Sequence, residues 1–137
     1  MEEKIEVGTI LYRYTEYKNL AKCVVSYYEK DENEGDYFGV MLEETYHSIK
    51  SWPQTTEQEK KELQDYIVMH SVPLDVKTYK SYGYYHTPRE ATEHKIKMYE
   101  FIIQDIKKWR SHTIIRHLHM LLHFSRTYNL AILPSQN

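Results

Sequence analysis

The sequence predicts an α+β fold: a small antiparallel N-terminal sheet of three to four strands, curled toward a half-barrel, then a middle helix, then a long or broken C-terminal helix. Three observations predict it. Residues 5–42 divide into three short runs rich in Val, Ile, Leu, Tyr and Phe, separated by turn-forming polar residues, as the strands of an antiparallel meander require. Thr56 and Thr87 each stand three residues before a Glu, the spacing of a capping box at a helix start. No Gly or Pro interrupts the chain from Arg89 to Arg126. The 137 residues are expected to form a single domain, 1–137.

The first strand is expected at Ile5–Tyr14, with Ile10, Tyr12 and Tyr14 on one side and Val7, Thr9 and Leu11 on the other. Lys18-Asn19 is the expected turn into a second strand, Leu20–Glu29, where Cys23, Val25 and Tyr27 alternate against Val24 and Tyr28. The acidic run from Lys30 to Asp36 reads as an exposed hairpin loop before a third strand, Tyr37–Leu42. Glu43 to Pro53 reads as irregular, and Trp52 should be extended because it precedes Pro53. The middle helix, 56–70, carries a stripe of Leu63, Tyr66, Ile67 and His70, with His70 half-buried at its end. Residues 71–85 read as an extended aromatic segment with a fourth strand near Val76–Tyr79.

Thr87, Pro88 and Glu90 make the strongest helix start in the chain. The helical segment 88–126 would be about 58 Å long at 1.5 Å per residue. A compact domain of this length has a diameter of roughly 37 Å, so the helix outruns it. Either it breaks at residues 110–113, where Ser111 or Thr113 can cap a second helix, or it protrudes and pairs with another subunit. The apolar stripe drifts by about a quarter turn between its halves, which favours a bend or break. The tail from Leu130 to Pro134 is expected to dock as an extended piece.

Charge is distributed unevenly. Residues 1–70 carry 15 acids and 8 bases, whereas residues 71–137 carry 5 acids and 10 bases. From Ile106 to Arg126 there are five Lys or Arg, four His and no acid, and Asp105 is the last acid of the chain. On a helix, Ile114, Leu118, Leu121 and Leu122 share one face. His112, Arg116, His119 and His123 fall on the opposite one, with Arg110 and His117 on a flank. Such a column of like charges is a solvated face, an anion site, or, through His119 and His123, a metal site. No HExxH-type Glu or nearby acid supports the metal reading, and no metal or cofactor is assigned.

Tyrosine is the other outlier, at 14 residues against 3 Phe. The densest group is Tyr82-Gly83-Tyr84-Tyr85, where Gly83 permits a bend or a close approach. It reads either as a loop packed on the sheet or as a stacking platform for a base or a protein hot spot.

Catalytic signatures are missing. All four Gly are isolated, so no phosphate loop exists, and no Gly-x-Ser-x-Gly elbow occurs. Cys23, the lone cysteine, reads as a small core residue. Glu43 and Glu44 are sequence neighbours that would point to opposite sides of a strand. A pI near 6.4 argues against a duplex-DNA reader. Met1–Lys4 lacks the basic start and apolar stretch of a leader, and no apolar run nears 18 residues, so no membrane partner is expected. Small, rich in Tyr and Lys and without an enzyme motif, the chain is similar in style to accessory proteins of bacteria and their phages. The N-terminus, the missing apolar span and the lone cysteine together favour the cytoplasm, of a bacterial cell or an infected host cell.

The expectation is a non-catalytic binding protein that captures an anionic ligand, a nucleotide or nucleotide-derived signal, as a phage-type sponge does. Arg110, His112, Arg116, His119 and His123 would hold phosphates, and Tyr82, Tyr84 or Tyr85 would stack on a base. The alternative is a protein-binding inhibitor, pressing on an acidic protein surface or mimicking nucleic acid. A homo-oligomer is expected in either case.

Overall fold

The computed structural model describes residues 3–16 and 19–132, with side chains described up to residue 123. The chain divides into two units, 1–96 and 97–137. The architecture is α+β, with a curled four-stranded antiparallel sheet, helices in the middle and a long C-terminal helix.

The strands are β1 (Ile10–Tyr14), β2 (Leu20–Glu29), β3 (Tyr37–Leu42) and β4 (Val72–Asp75), in the order β1-β2-β3-β4. Leu11 lies opposite Cys23, Val25 opposite Val40, and Phe38 opposite Leu74. The expected first strand begins five residues too early. Glu6–Thr9 closes a turn instead, with the Thr9 amide donating to Glu6 O at 3.0 Å and Gly8 at φ +97. That left-handed Gly breaks the alternation that Ile5 and Val7 suggested. Lys18, half of the expected turn, lies outside the described residues.

Glu43–Lys50 forms a helix, α1, where the sequence suggested irregular chain. It follows β3 without a connecting loop, and Leu42 at its N-cap makes no side-chain capping bond, so the usual start signal is absent. Helix α2 (Glu57–His70) begins as expected: Thr56 Oγ1 accepts the Glu59 amide at 3.1 Å. Glu59 in turn reaches one residue further back, accepting from the Thr55 amide and hydroxyl. Those bonds hold its carboxyl below the usual range. Leu63 and Ile67 are buried, but Tyr66 and His70 are exposed, stacked on each other with ring centroids 4.0 Å apart. Trp52 covers Tyr66 from the other side, at 5.2 Å.

The fourth strand comes earlier than expected, at Val72–Asp75, and contains Pro73. Proline is tolerated there because β4 is an edge strand. Thr78 then leads into a 3-10 turn, Tyr79–Tyr82, closed by Gly83 at φ +92, so the aromatic segment is not uniformly extended.

The sheet has a core on each face. One holds Leu11, Cys23, Val25, Phe38, Val40 and Leu74, covered by Tyr79 and Tyr84. The other holds Val24 and Met41, covered by Tyr46 and Ile49 of α1 and by Leu63 and Ile67 of α2. Leu11, Phe38 and Ile67 are at most 1 % exposed, and each contributes about 1.5–3 kcal/mol by burial. A bulge between Val25 and Tyr27 frees Ser26, whose hydroxyl pairs with that of Ser71 in the buried layer. Gly39 faces the Tyr27 ring, and a Cβ there would lie 2.0 Å from a ring carbon. Tyr12 pairs with Tyr85 across the outer edge of β1, so the segment after β4 returns to the opposite end of the sheet.

Helix α3 (Pro88–Ile132) starts at the expected box: Thr87 Oγ1 accepts the Glu90 amide at 3.2 Å. Its first turns belong to the first unit, where Ala91 is buried. It runs 45 residues, about 68 Å at 1.5 Å per residue, with no interruption at 110–113. A backbone that is helical everywhere has no need of Ser111 or Thr113 as caps. Leu130–Ile132 are helical rather than extended, and Leu133 and Pro134 of the expected docking tail lie outside the described residues. In the second unit every residue from Lys97 to His123 is exposed.

Candidate functional site

The eight residues singled out in the sequence divide between the two units. Arg110, His112, Arg116, His119 and His123 are on α3 in the second unit; Tyr82, Tyr84 and Tyr85 are in the first.

On α3 the column forms because helical geometry alone aligns residues at i, i+4, i+7 and i+11. His112 to His123 spans about 16 Å along the axis. All five side chains are exposed. Among the described residues, Arg110, His112, Arg116 and His119 make no ion pair. Near the start of the same helix, by contrast, Arg89 pairs with Glu93 at 3.1 Å. The opposite face carries Ile114, Leu118, Leu121 and Leu122, each about half exposed.

The tyrosine cluster is not a uniform platform. Tyr84 is 7 % exposed and belongs to the core, so its ring is not open to a base. The Arg13 guanidinium also lies over it, 5.4 Å from the centroid. Burial pushes the Tyr84 hydroxyl above its ordinary range, partly offset by the Arg13 charge. Tyr85 is half-buried, and its hydroxyl pairs with His94 Nδ1 at 2.8 Å. Tyr82 alone of the three presents an open ring, at 62 % exposure.

Arg13 is the residue that the sequence reading missed. It lies on β1, and its Nε donates to Tyr82 O at 3.0 Å. Gly83 turns the chain there with its left-handed φ of +92, a conformation that favours glycine, while a Cβ would meet Arg13 Cγ and His94 Cδ2 at an ordinary contact distance of 3.6 Å. Arg13, Leu74, Asp75, Thr78, Tyr82 and Tyr84 line a cavity of about 420 Å³ where the curled sheet brings β1 toward β4. No local signal could have revealed this, because Arg13 and Tyr82 are 69 residues apart.

Comparisons with known protein families, with characterised proteins and with solved structures find no match.

A larger open groove, about 980 Å³, runs between the N-terminal segment and the sheet, lined by Glu3, Lys4, Tyr28, Lys30, Asp36 and Lys80 among others. Several of its charges are already engaged. Lys80 donates to Glu3 at 3.0 Å and holds that carboxyl below its usual range. Tyr28 donates to Asp36 at 2.6 Å. His86 lies 3.4 Å from Glu3 and 2.9 Å from the Tyr79 hydroxyl. These contacts tie the N-terminal segment to the 3-10 turn. Among the described residues, no three His, Cys, Asp or Glu converge as metal ligands, and no helix is long and apolar enough to cross a membrane.

Proposed function

We propose that the chain is a non-catalytic binding protein whose acid-free stretch of α3 takes an anionic partner. One observation supports this most: Arg110, His112, Arg116 and His119 stand exposed, with no ion pair among the described residues. Like charges four residues apart on a helix repel by a few tenths of a kcal/mol, and an incoming anion removes that cost.

The shape of the column favours an acidic protein surface over a nucleotide. Small ligands bind in concavities that bury most of their surface, whereas one helix face is convex, and His112, Arg116 and His119 are strung along about 11 Å of it with Arg110 on its flank. Tyr84, enclosed in the core, contributes no stacking surface. A second copy of the chain suits the apolar stripe. Ile114, Leu118, Leu121 and Leu122 lie opposite the column, so pairing two helices through them leaves both columns outward.

The test is binding of the full chain to poly-L-glutamate across a potassium chloride series. The double substitution Arg110→Gln/Arg116→Gln should weaken binding by about tenfold or more at low salt and flatten its salt dependence. Equal binding by the unaltered chain and the double variant overturns the reading.

A further inference from the structure

We infer that the seam of the sheet unit holds a separate small-molecule site for a nucleoside monophosphate: phosphate on Arg13, base on Tyr82, and a base N–H toward Asp75. This does not rest on the α3 reading, since every residue involved belongs to the first unit.

Four observations converge. First, Arg13 is half-buried, and no described carboxylate lies within ion-pair distance of it. A partly desolvated guanidinium without a counter-ion is unfavourable, and a phosphate would supply one. Second, its Nε–H is committed to Tyr82 O and its Cζ lies over the Tyr84 ring, 5.4 Å from the centroid. The group is therefore oriented before any ligand arrives, which lowers the ordering cost of binding. Third, Tyr82 lines the same cavity with an open ring, and a base stacks on such a face whatever its identity. Fourth, Asp75 also lines the cavity without pairing to Arg13. Its Oδ1 accepts the Lys77 amide at 2.7 Å, which fixes the carboxylate in place as an acceptor.

A cation, a carboxylate and an open aromatic ring lining one cavity match a molecule that offers an anion, a flat face and a hydrogen-bond donor. The cavity of about 420 Å³ lies within the range of small-ligand sites. An inorganic anion would satisfy Arg13 but leave the ring and Asp75 unused.

Calorimetric titration of the full chain with the adenosine, guanosine, cytidine and uridine monophosphates, their nucleosides and inorganic phosphate tests this. At least one monophosphate should bind saturably, and its nucleoside and phosphate alone at least about tenfold more weakly. Arg13→Gln should cost roughly tenfold to a hundredfold, and Tyr82→Ala roughly tenfold. Asp75→Asn should change the ranking of the four bases. Circular dichroism confirms that each variant is folded; if Arg13→Gln is not, Tyr82→Ala decides alone, because its ring is exposed. Binding that persists unchanged in Tyr82→Ala, or the absence of saturable binding by all four monophosphates, overturns the proposal. So does loss of binding in Arg110→Gln/Arg116→Gln, which would place the ligand on α3 instead.

Discussion

In the sheet unit polar side chains near the core find partners inside the unit, and on α3 every side chain from Lys97 to His123 is exposed. Tyr28 has Asp36, Tyr79 has His86, Tyr85 has His94, and Ser26 has Ser71. Arg110, His112, Arg116 and His119 have no ion-pair partner among the described residues, and Ile106, Trp109 and Leu118 lie more than half exposed. The two regions thus draw stability from different sources. The sheet unit closes two cores of its own, whereas a helix with both faces open gains little from packing and depends on what covers it.

The largest expected effect tests the closed region. Phe38 is fully buried, with its ring edge-on to Tyr79 at 5.4 Å. Phe38→Ala should lower the stability measured by urea unfolding by about 3–5 kcal/mol, independently of protein concentration. On α3 the contrast is sharp: Leu118→Ser should leave the stability of dilute protein within about 0.5 kcal/mol. It should also abolish the rise of thermal midpoint with concentration that a helix-paired dimer shows. A concentration-independent midpoint in the unaltered chain would sink the pairing.

A smaller effect is expected at Gly39, where a Cβ would meet the Tyr27 ring at 2.0 Å and Ser71 Cβ at 2.7 Å. Gly39→Ala should cost about 1–3 kcal/mol in the same unfolding measurement, as overpacking does. The smallest effect is a titration. Tyr37 donates to Glu29, and that bond pushes its hydroxyl up to about 12. The folded value is raised above the ordinary value near 10. Its stabilising contribution is therefore complete below about pH 10 and lost as the pH climbs toward 12. Absorbance titration of the folded chain should show a late-ionising tyrosine that Tyr37→Phe removes.

What the sequence made legible follows from locality. Alternation located β2, an apolar run after an acidic loop located β3, and Thr56 and Thr87 marked two helix starts because a cap and its Glu are three residues apart. Helix α1 was illegible because it has no such cap, and β4 was misplaced because Pro73 disguised an edge strand. The tyrosine excess left two readings open for a deeper reason. A ring with a polar tip suits an external platform and an interior position with a hydrogen-bond partner equally well, and Asp36, His86 and His94 as partners emerge only on folding. Arg13 was invisible as long as its neighbours lay far along the chain.

Pro73 sets a limit on how copies of this chain can associate. It leaves the outermost strand one amide short, so an incoming strand cannot complete a ladder there. Fibril-like growth from this rim is interrupted at its first added layer. Crowding many molecules together should therefore not nucleate cross-β deposits at this rim.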